Sequence, residues 1–295
     1  MYLKPKVTIG MCVKNASNTI RDAINCVLTQ DFPHEFVELI VVDGYSADGT
    51  LKILKEILLK SDIRSIIFKE NEGLGFARQI VVDTAVGDYI IWVDGDMIFP
   101  KNYVRKQVEF MERNPKVGIA SGYHGILPEA NLIAFLEDIA YIAVDYKFGG
   151  SLSSRFPGTA GSIFRTEAIR QVDGFNPSIR GVGEDIEAAY RVRQAGWCIH
   201  IGTEAKYYEK RKETWKKLWD HYYWYGYGAY DVLFKMDRIS NLLGLSPLAG
   251  FFVGVWYSIV AYKLINQKKV FLLPFHYAFK RLALYCGLIR SYMSW

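Results

Sequence analysis

Short aliphatic and β-branched runs recur through the first third of the chain, at Val7 to Met11, Leu39 to Val42, Ile63 to Phe68 and Tyr89 to Val93. Between them the apolar positions repeat every three to four residues. Ile20, Ala23, Ile24, Val27 and Leu28 follow Asn18, while Ile53, Leu54, Ile57 and Leu58 follow Asp48 or Thr50, either of which can cap a helix. Strand, helix, strand, helix builds a parallel sheet, and runs this uniformly apolar belong to strands covered on both faces. A fifth strand is predicted over Val117 to Ser121 and an apolar helix over Ala130 to Tyr146. Gly149-Gly150 and Phe156-Pro157-Gly158 then break the rhythm. It resumes with a helix over Glu184 to Ala195 and extended chain from Trp197 to Ile201, which makes His200 a strand residue. The pattern contains no internal repeat and no low-complexity segment.

The last third differs in character. Leu242 to Tyr262 carries no formal charge, and about 21 residues of helix reach across about 30 Å of hydrocarbon. Pro247 and three glycines weaken that helix, so a full span stands beside a buried or re-entrant helix as the expectation. In Phe271 to Tyr292 the apolar residues are interrupted by His276, Lys280, Arg281 and Arg290, a composition suited to a helix in the headgroup layer. Lys263, Lys268 and Lys269 between the two segments place that connection on the cytosolic side. The expected division is therefore a catalytic α/β domain over 1–235 and a helical, membrane-associating region over 236–295.

Composition sharpens this picture. The 295 residues are 51% hydrophobic with a net charge of +5, enough apolar material for a large α/β domain with an appendage. Residues 206–295 hold 14 Lys/Arg against 5 Asp/Glu, leaving 22 against 26 for residues 1–205. Basic charge laid among long apolar runs points to lipid and away from nucleic acid. Cys12, Cys26, Cys198 and Cys286 show no CxxC or zinc-like spacing, as expected of free thiols in a reducing compartment. The first apolar run begins too early for a signal peptide, so the expected location is the cytoplasmic face of the cell membrane.

The chemistry gathers where the strands end. Asp94-Gly95-Asp96 directly follows the run Tyr89 to Val93, and open α/β sheets bind ligands at the carboxyl ends of their strands. Two acids so close repel each other unless a cation lies between them. A turn capping the next helix would also place aspartates there.

Further motifs decide between these readings. Val41-Val42-Asp43-Gly44-Tyr45-Ser46-Ala47-Asp48-Gly49-Thr50, Gly73-Leu74-Gly75-Phe76-Ala77-Arg78, Asp94-Gly95-Asp96 and Gly183-Glu184-Asp185 follow in that order. Over about residues 5 to 230 the series resembles the family 2 glycosyltransferases, inverting enzymes with the GT-A fold. The resemblance implies a sheet flanked by helices, a nucleotide-sugar donor (UDP- or GDP-sugar) and Mn2+ or Mg2+. It places Asp43, Asn15, Arg78 and Asp94 around the nucleotide and gives Asp96 to the metal. Asp185 becomes the base that takes the proton of the acceptor hydroxyl, with Glu184 beside it. Glu187 and Arg191 are spaced to pair along one helix.

Departures matter too. Many relatives carry a second aspartate where this chain has Gly44, and a histidine near Tyr207 or Tyr208. The RW-containing motif of the processive branch is absent, which favours addition of single sugars to a lipid-linked or glycan acceptor. Gly158 to Ser162 resembles the small-residue stretch near the donor sugar and acceptor, or forms a tight turn before a strand, and Lys210 to Lys212 with Lys216-Lys217 clamp the diphosphate or an anionic lipid head, or lie solvated. Nucleotidyltransfer and a non-catalytic nucleotide-sugar scaffold are the competing readings, although Cys12 to Ala16 is not a phosphate loop.

Overall fold

The structure, a computed structural model, describes residues 6–149, 156–179, 182–235 and 244–293. Its strands are β1 (Val7–Val13), β2 (Val37–Asp43), β3 (Arg64–Lys69), β4 (Tyr89–Trp92), β5 (Met97–Ile98), β6 (Val117–His124), β7 (Ser162–Arg165) and β8 (Cys198–Glu209). They form a sheet in the order β3-β2-β1-β4-β7-β6-β8-β5. The chain divides into two compact units, one of residues 1–123, 148–178 and 184–210, the other of residues 124–147, 179–183 and 211–295. The domain boundary expected at 235/236 meets residues 236–243, which lie outside the described residues.

In the first unit β3, β2, β1 and β4 run parallel, as the alternation predicts. Each apolar run resolves into two faces. Leu39 and Val41 enter one buried cluster with Ile9, Ile24 and Leu54, while Ile40 and Val42 enter the other with Val81, Ile90 and Trp92. Helices α1 (Ile20–Leu28) and α2 (Thr50–Leu58) supply the first cluster, together with Tyr103, Val104 and Met111 of α4 (Tyr103–Arg113). The second is covered by α3 (Leu74–Thr84), α6 (Thr166–Arg170) and α7 (Glu184–Gln194). Gly10 lets α3 approach the sheet, because a Cβ there would lie 2.8 Å from Val81 Cγ1. One strand departs from expectation. β3 is apolar yet only part-buried, because it sits at the sheet edge with β2 as its neighbour.

Beyond β4 the sheet turns antiparallel through β7, which pairs with both β4 and β6. The expected strand at Trp197 to Ile201 continues to Glu209 and carries His200, whose ring packs at a tilt of 39° against Phe110 with centroids 4.7 Å apart. Its end pairs with β5, Met97 opposite Glu209 and Ile98 opposite Tyr208. Register matters for function. Val13, Asp43 and Lys69 stand side by side, so β1, β2 and β3 finish level at one edge.

The second unit is helical, built from α5 (Leu132–Phe148), α8 (Trp215–Lys235), α9 (Pro247–Ile265) and α10 (Leu273–Tyr292). Pro247 does not interrupt α9. It occupies the first turn, where a missing N–H costs nothing, and Ser246 caps the helix by accepting from the Ala249 N–H at 3.2 Å. Nor do the glycines weaken it in place, since Gly250 and Gly254 face α10. A Cβ at Gly254 would lie 2.5 Å from Pro274 Cα, and one at Gly250 would lie 3.0 Å from the Tyr277 carbonyl. Across the α8–α10 contact, Gly226 abuts the Leu284 carbonyl and Gly287 the Tyr223 carbonyl.

Polarity in this unit runs from inside to outside. The charged residues of α10 are expected on a headgroup-facing side, yet His276 is 0% and Lys280 7% exposed. The reason is Glu137 on α5. Its carboxylate accepts from Lys280 Nζ at 3.0 Å and from the Tyr222 hydroxyl, with His276 Nε2 at 3.1 Å. Burial by itself would raise the Glu137 carboxyl, but Lys280 and His276 hold it well below the usual range. The outer faces are apolar instead, with Leu248, Phe252, Trp256, Ile259, Phe275 and Leu282 all exposed. Among the described residues α9 is the one helix long and apolar enough to cross a membrane, and 28% of that stretch is buried.

Candidate active site

The acids expected to act on substrate collect at the level edge of the sheet, within the first unit. Asp43 closes β2 with its side chain fully buried. Its Oδ2 accepts from the Ser46 N–H at 3.0 Å, whereas its Oδ1 has no hydrogen-bond partner among the described residues. An unsatisfied buried acceptor is costly unless a ligand supplies the donor.

Two loops make the rim beside it. Asn15, in the left-handed region at φ 50°, accepts from the Ala47 N–H at 2.9 Å and donates its own N–H to Ser46 Oγ at 2.9 Å. Asp48 accepts from the Thr50 hydroxyl at 2.6 Å, from Ser17 N–H at 2.9 Å and from Thr50 N–H at 3.1 Å, and these bonds hold its carboxyl well below the usual range. Asp48 is thus a structural tie between the loops and the start of α2. The Ala16 N–H adds a bond to Thr50 Oγ1 at 2.8 Å. Together these bonds fix the β1–α1 and β2–α2 loops to each other.

Asp94 and Asp96 lie in the tight turn after β4, where the Met97 N–H bonds the Asp94 carbonyl at 3.1 Å and the Lys210 N–H bonds the Asp96 carbonyl at 2.9 Å. Burial pushes the Asp94 carboxyl up to about 7, Arg78 opposes that rise, and Asp96, Glu209 and Asp185 add to it. Glu209 is a member of this acidic group that sequence reasoning missed. Its signal was weak, because only the antiparallel pairing with Met97 brings the end of β8 beside the turn.

Asp185 opens α7 and belongs to the same group of charges. Its Oδ1 accepts from the Ile186 N–H at 2.8 Å and its Oδ2 from the Thr159 N–H at 3.3 Å. The small-residue stretch therefore touches the proposed base, and a Cβ at Gly158 would lie 3.1 Å from Asp185 Oδ2. Arg78 is no surface arginine. It is buried on α3, pairs with the Glu184 carboxylate and stands 3.9 Å from Asp185 Oδ2. Burial disfavours its charge, but Glu184, Asp185 and Asp94 outweigh that and keep it protonated.

The basic run farther along is engaged within the protein. Lys210 pairs with Asp22, Arg211 with Asp138 at 2.8 Å and Lys216 with Asp220 at 2.9 Å. Tyr207 is buried and packed against Gly161, where a Cβ would collide with its ring. The donor set at Asp94 and Asp96 consists of hard oxygens, which suit Mg2+ or Mn2+. Among the described residues no three His, Cys, Asp or Glu side chains form a group able to hold a metal by themselves. Such ions are commonly held by one or two carboxylates, with the rest supplied by substrate phosphates and water, and the acids here fit that arrangement.

A parallel sheet closed by antiparallel strands, with acids at its carboxyl edge, has the architecture of the GT-A fold. Residues 8–173 match the family Glycosyl transferase family 2. The chain belongs to that family, and its relatives are glycosyltransferases. It is 22% identical over 225 residues to the poly-β-1,6-N-acetyl-D-glucosamine synthase of Staphylococcus epidermidis, covering 75% of this chain and 54% of that one. With the synthase of the same name from Staphylococcus aureus strain MSSA476 it shares 23% over 240 residues, 80% and 57% of the two chains. The chain thus spans little more than half the length of these curated relatives.

Among solved structures it resembles the mannosyltransferase PcManGT from Pyrobaculum calidifontis in complex with GDP-Man and Mn2+. That match has a TM-score of 0.68 and 16% identity, covering 99% of this chain and 88% of the other. It also resembles S. aureus TarS 1-349 in complex with UDP-GlcNAc, with a TM-score of 0.55, 16% identity and coverage of 98% and 92%. At such identities these two establish the fold.

Proposed function

We propose that the chain is an inverting, metal-dependent transferase that moves one sugar from a UDP- or GDP-sugar to a hydroxyl or phosphate of a lipid-linked or glycan acceptor at the cytoplasmic face of the membrane. The observation that carries this reading is the convergence of Asp94, Asp96 and Asp185 from remote parts of the sequence on one site, with Arg78 as its buried cation. In it, Asp43 Oδ1 accepts a donor N–H of the base, Asn15 holds the rim, and Asp94 and Asp96 face the diphosphate. Asp96 would hold a divalent cation, which when bound would supply charge stabilisation to the departing diphosphate. Asp185 takes the proton from the acceptor hydroxyl as that oxygen attacks the anomeric carbon from the face opposite the leaving group.

Two of the solved structures that the chain resembles are complexes with GDP-Man and Mn2+ and with UDP-GlcNAc, which supports both donors as the first to try. The name of the Staphylococcus relatives is that of a polymer synthase, whereas the missing RW motif favours single addition here. The acceptor lies at a bilayer, a reading supported by the exposed apolar faces of α9 and α10 beside exposed Lys263, Lys268, Lys269 and Arg290.

The test is nucleotide release from UDP- and GDP-sugars by the purified full chain with Mn2+. Asp185→Asn and Asp96→Asn should each lower turnover by about 100-fold or more, and only the Asp96 change should strongly weaken Mn2+-dependent nucleotide binding. Wild-type turnover in Asp185→Asn would remove it as the base.

A further inference from the structure

The family resemblance assigns Arg78 to the nucleotide, but its surroundings point elsewhere. The guanidinium is 7% exposed and engages a Glu184 carboxylate that is 1% exposed, a desolvated pair joining α3 to the first residue of α7. Gly75, one turn earlier on α3, permits this closeness, since a Cβ there would lie 3.2 Å from the Asn176 carbonyl and 3.6 Å from Glu184 Cβ. Phe175 closes another side, its ring centroid 6.0 Å from the guanidinium carbon.

Asp185 is the next residue and has three restraints. The Ile186 N–H bonds Oδ1 at 2.8 Å, the Thr159 N–H bonds Oδ2 at 3.3 Å, and Arg78 Nη1 lies 3.9 Å from Oδ2. The Ile186 N–H belongs to the first turn of α7, where amides have no partner within the helix. Its protection therefore depends on where the Asp185 carboxylate is held.

We infer that Arg78 and Glu184 are a positioning pair: they lock the start of α7 against α3 and aim the Asp185 carboxylate, and Arg78 does this in place of binding the nucleotide. A planar guanidinium can address two carboxylates at once, whereas an ammonium is a point charge on a flexible stem. Glu184 is then a partner of Arg78 and makes no contact with the acceptor. The inference rests on the reading of Asp185 as the base.

Arg78→Lys and Glu184→Gln preserve size, and the full chain carrying each, or both, provides the test. Three quantities are measured: affinity for UDP and GDP with Mn2+ by calorimetry, nucleotide release at saturating UDP-N-acetylglucosamine or GDP-mannose, and amide hydrogen exchange over residues 184–187. Each single change should slow release about tenfold or more, as misaimed catalytic groups do. Nucleotide affinity should stay within about twofold and exchange at 184–187 should rise, with the double variant no slower than the worse single.

Arg78→Lys that weakens UDP or GDP binding about tenfold while keeping the saturated rate would make Arg78 a nucleotide ligand and overturn the inference. Unchanged exchange at 184–187 in both variants would overturn it as well, even if neither donor is turned over. Full turnover in Asp185→Asn would instead remove the base assignment, and the exchange result would still judge the pair.

Discussion

A carboxyl pushed up to about 7, as that of Asp94 is, stands half protonated at neutral pH. The Asp94 carboxylate would attract a cation held by neighbouring Asp96, so Mn2+-dependent nucleotide affinity should climb as pH rises through about 7 and then level off. Calorimetry across that range checks it, and a flat profile would mean that Asp94 takes no part. Without the cation the sign reverses. Because folding raises this pKa, the stability it contributes is full below about pH 4 and is lost as pH rises through about 7, so added Mn2+ should restore melting temperature mainly at the upper end. At this scale Asp43, Asp94 and Asp96 were legible as acids at strand ends that hydrophobic runs make visible, and Asp185 as an acid at a helix start. It was less informative about Arg78 and Glu209. Nothing local reveals that Arg78 meets a carboxylate 106 positions away, or that β8 returns to pair beside Met97.

Among elements, the joint of α5, α8 and α10 rests on Glu137 and its cations. Lys280→Met should cost about 3–5 kcal/mol, because it leaves the carboxylate buried without its ammonium partner. Thermal or denaturant unfolding measures this, and Glu137→Gln added to Lys280→Met should recover much of the loss. A single variant as stable as wild type would show that the pair is solvated. The helices themselves were legible from spacing: α1, α2, α7 and the run that became α5 all formed where apolar positions repeat. Which side of α10 faces inward was not legible. His276 and Lys280 are charged or polar by type, and only Glu137 on another helix turns them away from solvent. Pro247 and the glycines of α9 misled for a related reason, since their value lies in capping and close packing that one strand of text does not display.

For the molecule as a whole, the membrane reading makes a direct claim about the outer faces of the second unit. Phe252→Asp, Trp256→Asp and Ile259→Asp together should abolish most flotation with anionic liposomes and leave UDP or GDP binding by the first unit unchanged. An acid in hydrocarbon costs about 2.5–3.5 kcal/mol on insertion scales. Equal flotation would put the apolar surface to some other use. The parallel half of the sheet was readable because β1, β2 and β4 are buried on both faces. In the antiparallel half β6 and the start of β8 were readable, but β7 and β5 were not, since they are too short to carry a period of their own. The reciprocal crossing of Gly226 and Gly287 has a last consequence. Where two backbones touch, a single methyl group is a wedge, and small residues at such crossings are what lets helices associate without water to drive them together. In this half of the protein the positions least open to replacement are those with no side chain at all, so variation there should be sparsest where a chemist looking for functional groups would see nothing.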